Sequence, residues 1–290
     1  MVLPSDRFEY SAAVDRPQMR LPDGARVVVW TIVNVEEWDI QEPMPRGVLP
    51  APGGATPIPD VPNWAWHEYG MRVGFWRLKA APDKHGIKAT ASINASVCLS
   101  YPRVAEAIRD GGWEFMGHGF TQKALNLVND EQAMIRQSIE TIREFTGKPP
   151  RGWLGPGLTE TWDTLEILAG EGIEYVCDWV DDDQPHSIMT ANGPLAMIPY
   201  SVEINDIPMM LVQHHTADEL LNRAKDQFDR LYQEGEHTAK IMAIAVHPYV
   251  SGVPHRIKYF EAIYDYISQH PGVVFWTGEQ ILDWYIGNKS

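Results

Sequence analysis

The chain has 290 residues, of which 44% are hydrophobic and 22% charged, a composition that is typical of a globular protein and excludes a disordered one. Its formal net charge of −15 argues against a nucleic-acid or anionic-membrane surface, because those partners require clustered Lys and Arg. Chemistry on a small-molecule substrate is the function class that remains.

From residue 25 onward, short β-rich runs alternate with amphipathic stretches at helical spacing. This alternation predicts βα units around a mainly parallel sheet. The predicted strands are 26–33, 87–93, 113–117, 152–154, 173–178, 196–198, 209–212, 241–246 and 273–276. The predicted helices are approximately 68–81, 101–109, 130–145, 159–169, 217–232 and 256–269. No linker or shift in composition interrupts the pattern, so we expect one domain over residues 1–290.

Residues 37–63 form an insertion loop that does not follow the alternation. This segment contains seven prolines, and its hydrophobic residues have neither helical nor strand spacing. A long insertion directly after a first strand is usually a functional loop, or else a flexible, tail-like segment. Proline stiffens the segment, and its apolar residues require a surface on which to be buried. We therefore expect the insertion to cover the mouth of a pocket in its own subunit or to reach a neighbouring one.

The two cysteines and the first residues of the chain indicate a compartment. Cys98 and Cys177 each lie in an apolar stretch, as small buried thiols of a reduced protein do. The first residues lack the basic start and apolar run of a signal peptide, and no apolar segment approaches the length of a membrane span. We expect a cytoplasmic protein with no membrane or nucleic-acid partner.

Polar residues follow the apolar runs at five predicted strand ends. In a barrel of parallel strands the site forms at the C-terminal ends, so these residues are candidates for one pocket. They are Asn34, Glu36 and Glu37 after the first strand, His118 after the third, Asp178 with Asp181, Asp182 and Asp183 after the fifth, His214 and His215 after the seventh, and His247 after the eighth. Such carboxylates and histidines support either a hard divalent metal or metal-free acid–base hydrolysis.

Ordinary structural roles compete with some of these assignments. His118 could be a hydrogen-bonded core histidine. Consecutive aspartates are commonly a solvated turn, so only one of the three, represented here by Asp182, is expected to face the site. His214 and His215 point in opposite directions in an extended chain, so at most one of them, taken as His215, lines the pocket. The histidines expected at the surface are His67, His85, His237 and His270.

Several segments, in order along nearly the whole chain, resemble the polysaccharide deacetylase superfamily, carbohydrate esterase family four. Within it they resemble the branch of allantoinases and cyclic-imide hydrolases. The matching segments are VNVEEW, YGMRVGFWRL, GHGFTQ, GWLGP, YVCDWVDDDQP, MIPYSVEINDI and HPYVSGVPHR. The resemblance implies an α/β fold, a distorted (β/α) barrel with seven parallel strands, and hydrolysis of a C–N amide bond.

The resemblance also implies roles for particular residues. Family members use one acid as a base, a second acid with a His-x-x-x-His pair as metal ligands, and a late histidine that protonates the leaving group. On this chain the corresponding residues are Asn34 at the first acid, Glu36 at the metal-binding acid, His118 at the first histidine, Gln122 at the second and His247 at the late histidine. A neutral amide such as Gln122 is a poor ligand for zinc, and allantoinases of this branch work without bound metal.

The third motif, GWLGP, departs from the family pattern as well, since Leu154 stands near the position of the family's arginine and Arg151 is out of register. We expect no cofactor; the alternative is a divalent metal, Zn or Mn, held by Glu36 and His118. Related hydrolases of the branch are oligomeric, which implies a homo-oligomer that acts on a small-molecule substrate.

A metal-free amide hydrolase requires a base, a donor to the developing oxyanion and an acid. We expect Glu36 to be the base, with a pKa raised by its neighbour Glu37, and His118 and His247 to supply the oxyanion contact and the proton. Asp178 completes the expected catalytic set. The expected walls for a flat substrate are Trp38, Trp153 and Trp179. The other expected substrate contacts are Asn34, Glu37, Gln122, Asp182 and His215.

Three functions remain open at this point. The first is hydrolysis of a small cyclic amide, imide or ureide. The second is metal-dependent deacetylation of an N-acetylated saccharide, with His214 or His215 replacing the lost ligand. The third is a non-catalytic carbohydrate-binding barrel, in which Asn34 and Gln122 are decayed catalytic positions.

Overall fold

The structure, a computed structural model, describes residues 2–54 and 57–288. Its central feature is a curled, mainly parallel sheet in a mixed α/β fold. The strands are β1 Val27–Val35, β2 Thr90–Ile93, β3 Glu114–Gly117, β4 Gly152–Trp153, β5 Tyr175–Val176, β6 His186–Thr190, β7 Gly193–Met197, β8 Lys240–Val246 and β9 Val273–Phe275.

The strand order around the sheet is β6-β7-β5-β4-β3-β2-β1-β8, and β9 pairs with the start of β1. Every pairing is parallel except the β6–β7 hairpin, so the described residues form eight parallel strands where the resemblance implied seven. Strand β8 ends this order and donates backbone hydrogen bonds from Ile241 to Asp183 and from Ala245 to Ile204. The sheet is thus a half-barrel whose open side is bridged by irregular backbone.

Strand β1 is buried along its whole length. Its sequence, VVVWTIVNV, is rich in the β-branched residues that favour strands buried on both faces. Val27, Val29 and Val33 pack in the larger core, under helices on the outside of the sheet, whereas Val28 and Trp30 pack in a second core. The alternation of a strand therefore separates the two cores, and β1 carries its C-terminal end to the centre of one barrel face.

The helices are α1 Pro4–Arg7, α2 Val61–Tyr69, α3 Phe75–Asp83, α4 Val97–Ser100, α5 Pro102–Asp110, α6 Glu131–Thr146, α7 Thr164–Gly170, α8 Glu219–Glu234, α9 Ile257–Ile267 and α10 Gly278–Gly287. Helix α6 shows the expected local signals. The Asp130 carboxylate accepts a hydrogen bond from the Ala133 N–H at 2.9 Å, and Gly147 ends the helix with a φ of 85°. No helix of the described residues combines the length and apolar character required to cross a membrane.

The predicted strand at 209–212 was wrong, since this stretch belongs to a π-helical segment, Ile207–Val212. The run IPMMLV is short and apolar, and periodicity cannot distinguish a buried helical turn from a buried strand at that length. The sequence analysis also missed β6 and α10. Strands from both halves of the chain lie in one sheet, which supports the single-domain organisation that stays a prediction.

The insertion is shorter than predicted, because α2 already begins at Val61. Asp60 caps this helix by accepting a hydrogen bond from the Asn63 N–H at 3.3 Å. The Asn63 side chain then holds the insertion, since its Oδ1 accepts from the backbone N–H groups of Val48 at 2.8 Å and Leu49 at 3.0 Å. Residues 46–49 consequently lie against the start of α2.

Candidate functional site

A pocket of about 280 Å³ lies at the C-terminal ends of β1, β3 and β8. This is the position that a parallel barrel predicts for an active site. A larger cavity of about 690 Å³ shares part of its wall and lies beneath the insertion. The pocket wall includes Asn34, Glu36, His118, Gln122, Tyr200 and His247. Three of the four predicted catalytic residues therefore meet in one pocket.

His247 lies between two carboxylates. Its Nδ1 is 2.6 Å from Oδ1 of Asp206, and its Nε2 is 3.5 Å from Oε1 of Glu36. Asp206 is fixed by the backbone N–H of His247 at 2.8 Å and by the Ser251 hydroxyl at 2.7 Å, both donating to Oδ2. Burial alone would lower the pKa of His247, but Asp206 and Glu36 raise it to about 9. The ring is therefore an imidazolium at neutral pH.

Glu36 is a buried carboxylate with three partners. Its Oε2 accepts hydrogen bonds from the Trp38 indole at 2.8 Å and from the Tyr249 hydroxyl at 2.7 Å. Burial would raise the pKa of Glu36, but the hydrogen bond and positive charge of His247 hold it well below its usual value. The expectation that Glu37 raises the pKa of Glu36 was wrong, because the charge that faces Glu36 most closely is a cation.

His118 has one fixed tautomer. Its Nδ1 is 2.6 Å from the carbonyl oxygen of Leu154. Since a carbonyl oxygen can only accept, Nδ1 must carry the proton, and Nε2 of the neutral ring is an acceptor. Burial lowers the pKa of His118 to about 4, so the ring is neutral at pH 7. The expected role of His118 as an oxyanion donor therefore does not fit, and a proton-accepting role does.

Tyr200, a residue that the sequence analysis did not select, supplies a donor to the pocket. Its hydroxyl oxygen accepts from Asn34 Nδ2 at 3.2 Å and from Asn205 Nδ2 at 3.3 Å. Two donors on the oxygen leave the hydroxyl proton free to be donated to a ligand. Burial raises the pKa of Tyr200, so the hydroxyl keeps this proton. Asn34 thus orients Tyr200.

Gln122 and Glu37 belong to a small hydrogen-bond network at the pocket wall. The Asn94 Oδ1 accepts from the Glu37 N–H at 2.8 Å, and the Asn94 Nδ2 donates to the Gln122 Oε1 at 3.3 Å. The Gln122 N–H donates to the Glu37 carbonyl at 3.0 Å. Gln122 lines the pocket, whereas the backbone of Glu37 joins β1 to the loop that follows β3.

The donor set does not fit the divalent metal that the family implies. Glu36 and His118 are suitable ligands by type, but Gln122 is a neutral amide. Oε2 of Glu36 is occupied by two donors, and Oε1 faces the charged ring of His247. Within residues 2–54 and 57–288, no group of three or more His, Cys, Asp and Glu side chains could hold a metal ion. His214 and His215 are exposed and do not line the pocket, so neither replaces the missing histidine.

Asp178 and Trp153, predicted site residues, lie outside this pocket. The Asp178 Oδ1 accepts from the Gly155 N–H at 2.8 Å, and burial together with the charge of Glu160 raises the pKa of Asp178. Trp153 is fully buried, and a Cβ at Gly117 would lie 2.6 Å from its ring. Both residues belong to the very short strands β4 and β5 or their ends, where alternation cannot be read from so few residues.

Trp179, Asp182 and His215 also lie elsewhere. The Trp179 indole donates to Glu160 at 3.0 Å, and Asp182 forms an ion pair with Arg16 at 2.6 Å. His215 is exposed after the π-helical segment. These predicted substrate contacts do not line the pocket, because the N-terminal segment and the wrongly predicted seventh strand place them on other surfaces.

The aromatic residues near Glu36 position it and do not form a wall for substrate. Trp38 is buried and stacks on His67, with their ring centroids 4.8 Å apart. The expectation that His67 lies at the surface was wrong, since this residue is fully buried and its Nε2 is 2.7 Å from the Glu36 carbonyl oxygen. His67, Trp38 and Tyr249 together fix the backbone and the carboxylate of Glu36.

Sequence reasoning missed Asp206, Tyr200, Tyr249 and Arg46. Asp206 and Tyr200 lie in MIPYSVEINDI, a segment matched to the family without a role for its residues. Arg46 is the sole basic residue of the 37–63 insertion, which was an available signal. Tyr249 follows His247 by two residues and could have been selected by that proximity alone.

Comparison with known proteins finds similarity to polysaccharide deacetylases. Residues 68–176 match the family model for polysaccharide deacetylase. A Schizosaccharomyces pombe protein provisionally named a polysaccharide deacetylase is 25% identical over 292 residues, which covers 90% of each chain. A Helicobacter pylori protein named peptidoglycan deacetylase is 23% identical over 74% of this chain and 84% of that protein.

Two crystal structures have the same fold over most of their length. One is a Pseudomonas aeruginosa protein described as a "probable Polysaccharide deacetylase", with 26% identity, a TM-score of 0.82 and coverage of 93% of this chain and 94% of that chain. The other is Puue Allantoinase, with 26% identity, a TM-score of 0.83 and coverage of 93% of both chains.

These similarities confirm the predicted (β/α) barrel class and the resemblance on which the sequence analysis relied. Residues 68–176 therefore carry the match to a polysaccharide deacetylase domain of the carbohydrate esterase family four superfamily, and the protein is a hydrolase of that class.

Proposed function

We propose that this enzyme hydrolyses the C–N bond of a small cyclic amide, imide or ureide, using acid–base groups of the chain in place of a metal. One observation carries this proposal: a neutral, proton-accepting His118 and a charged, proton-donating His247 line the same small pocket. Amide hydrolysis needs both functions, one for the attacking water and one for the leaving nitrogen.

Attack begins at His118. A water molecule hydrogen-bonded to Nε2 gives up its proton to this ring as its oxygen adds to the ring carbonyl of the substrate. Glu36 is a poorer base, because its pKa is held well below the usual value and its Oε2 already accepts two hydrogen bonds. The structure thus favours His118 over the predicted Glu36 as the base.

The developing oxyanion needs a donor, and the hydroxyl of Tyr200 has its proton free for this purpose. Collapse of the tetrahedral intermediate breaks the C–N bond while His247 Nε2 gives its proton to the leaving nitrogen. The products are an amine, amide or ureido nitrogen and a carboxylic acid, which loses its proton to solvent. The proton taken up by His118 then leaves to solvent, and His247 regains one, so that both rings return to their starting states.

Glu36 and Asp206 serve this cycle by keeping His247 charged. Each places a carboxylate against one ring nitrogen, at 3.5 Å and 2.6 Å. Strained rings and good leaving nitrogens reduce the need for a Lewis acid, which suits cyclic imides and ureides better than acetylated sugars. A pocket of about 280 Å³ is at the small end of ligand sites and suits a single ring. The similarity to an allantoinase structure supports the same substrate class.

A second candidate is N-deacetylation of a saccharide. The observation in its favour is the adjoining cavity of about 690 Å³, which has room for sugar units beside the pocket. The similarity to a peptidoglycan deacetylase of Helicobacter pylori supports it as well. The third candidate, a non-catalytic carbohydrate-binding barrel, is disfavoured because the pocket contains both a proton donor and a proton acceptor.

A substrate screen tests the proposal. The purified protein is assayed on hydantoin, dihydrouracil, succinimide, allantoin and chitooligosaccharides, each with and without EDTA. We expect hydrolysis of at least one ring compound and no loss of activity in EDTA. Deacetylation of chitooligosaccharides alone, with loss of activity on chelation and recovery with Zn or Mn, would replace the ring hydrolase with the saccharide deacetylase.

We also propose a cytoplasmic location and a homo-oligomeric state. Two free, buried cysteines support a reducing compartment. Val48, Leu49 and Ile58 of the insertion and Val61 at the start of α2 are all more than half exposed, and such apolar side chains are commonly covered by a partner subunit. Light scattering of the purified protein measures the oligomeric state, and a mass of 32.8 kDa would refute it.

A further inference from the structure

Arg46 stands where the pocket and the larger cavity meet. It is half-buried and is part of the wall of both. The inner pocket holds the acid and the base, whereas the outer cavity holds Lys123 and the carboxylates of Asp39 and Glu42. A ligand that fills the pocket therefore has Arg46 at its outward end.

The guanidinium of Arg46 forms no ion pair in the described part of the chain, although its charge helps to lower the pKa of Glu36. Its Nε is buried and makes no hydrogen bond, and neither Asp39 nor Glu42 forms an ion pair with it. The two carboxylates that flank His247 are engaged by other groups, Asp206 by His247 and Ser251 and Glu36 by Trp38, Tyr249 and His247. A buried guanidinium N–H without a partner is costly, so a ligand that supplies an acceptor gains by pairing with it.

The backbone beside Arg46 is fixed before any ligand binds. Val48 and Leu49, two and three residues further on, donate to the Asn63 side chain at 2.8 Å and 3.0 Å. Pro43 and Pro45 restrict the preceding backbone. The insertion thus presents Arg46 from a constrained loop, which lowers the entropy that binding would otherwise cost.

We propose that Arg46 binds a carboxylate carried by the substrate, so that the preferred substrate is an anionic ring whose scissile C–N bond lies between His118 and His247. The guanidinium fork matches a carboxylate with two parallel hydrogen bonds, which gives both affinity and orientation. The ring identity rests on the proposed function, whereas the carboxylate preference rests on Arg46 alone. The insertion is then a specificity element as well as a cover for the pocket.

Matched ligands test this inference by binding, independently of turnover. Dihydroorotate and dihydrouracil share one ring and differ by a carboxylate. Calorimetry on the full chain with Glu36→Gln, which slows hydrolysis, should show dihydroorotate binding at least about tenfold more tightly. Adding Arg46→Met should reduce this ratio to about one, and Arg46→Lys should retain part of it. The control Lys123→Met, a cation of the outer cavity only, should keep the full ratio.

A second matched pair separates this inference from the proposed function. N-acetylmuramic acid carries a carboxylate that N-acetylglucosamine lacks. An Arg46-dependent preference within the sugar pair, with no binding of either ring, would retain the carboxylate site and refute the ring hydrolase. Equal affinities within both pairs, a preference that survives Arg46→Met, or no binding of any of the four compounds would overturn the carboxylate site. Melting temperatures of each variant exclude a loss caused by unfolding.

Discussion

Glu36 and Glu114 are both buried carboxyls, and they lie at opposite edges of the parallel sheet, one at the C-terminal and one at the N-terminal ends of its strands. Glu36 follows the C-terminal end of β1 and faces the charged ring of His247. Glu114 begins β3 and is surrounded by neutral donors, the Thr90 hydroxyl at 2.6 Å and the Tyr175 hydroxyl at 2.5 Å. Burial raises the pKa of Glu114 to about 7, whereas the pKa of Glu36 is held well below its usual value.

The difference shows that burial does not decide the charge of a carboxyl in this barrel. Burial acts on both groups in the same direction, and each accepts two hydrogen bonds from neutral side chains. What separates them is the charge nearby: His247, itself kept charged by Asp206, and to a smaller degree Arg46 lower the pKa of Glu36, whereas the charge of Glu279 adds to the rise at Glu114. The C-terminal ends of the strands therefore hold paired charges. The N-terminal ends hold a protonatable carboxyl that accepts hydrogen bonds from neutral donors.

The largest expected effect comes from removing the His247 cation. His247→Gln takes away the proton donor and leaves Glu36 without its main counter-charge. Glu36 would then resemble Glu114, a buried carboxyl without a neighbouring imidazolium. We expect kcat/KM to fall by about 1,000-fold, within the range for loss of a general acid. Steady-state kinetics on the ring substrate identified by the screen measure it. The exposed His215→Gln is the matched control, and equal rates for the two variants would remove His247 from the mechanism.

Two buried tyrosines sharpen the comparison at the level of a single hydroxyl. Tyr200→Phe removes the proposed oxyanion donor, and we expect kcat to fall by about 100-fold with little change in melting temperature. Tyr175→Phe removes a donor to Glu114 at the other end, and we expect a lower melting temperature with kcat nearly unchanged. The reverse pattern would show that Tyr200 is structural.

The pH dependence of kcat/KM tests the two histidines together. Activity should require neutral His118 and protonated His247, so it should fall below about pH 4 and above about pH 9. Glu36→Gln removes one of the carboxylates that raise the pKa of His247, and its alkaline limb should move to lower pH. Glu114→Gln should leave both limbs in place. An alkaline limb unmoved by Glu36→Gln would contradict the pairing.

The smallest expected effect is on stability and concerns Glu114. Its pKa is raised from 4.5 to about 7 by folding, so its contribution is fully present below about pH 4.5 and is lost as the pH rises through 7. The free energy of unfolding of the wild type should therefore decline, relative to Glu114→Gln, by on the order of 3 kcal/mol between pH 4 and pH 8. Urea unfolding at several pH values measures the difference, and parallel curves for the two proteins would count against it.

Much of the site could be predicted from sequence because parallel strands expose their C-terminal ends together. Glu36, His118 and His247 each follow an apolar run directly, and all three meet in the pocket. Asp206 could not be predicted in this way, because it precedes a π-helical segment whose apolar residues resembled a strand. Its pairing with His247 joins residues that are 41 positions apart in sequence.

The protonation states could not be predicted from sequence either. They depend on which group faces each ring or carboxyl, and sequence neighbours such as Glu37 are a poor guide to that. The backbone carbonyl of Leu154 fixes the tautomer of His118. Every residue has such a carbonyl, so the residue type at position 154 does not reveal this contact. Asp178 shows the opposite error, since a carboxylate at a strand end turned toward a backbone N–H outside the pocket.

The most direct test of the account is the protonation state of the two site histidines, measured by nitrogen NMR of labelled imidazole rings between pH 4 and pH 10. We predict that His247 is an imidazolium at pH 7 and titrates near pH 9, and that His118 is neutral with its proton on Nδ1. A neutral His247 at pH 7, or a His118 that carries its proton on Nε2, would contradict the assignment of acid and base.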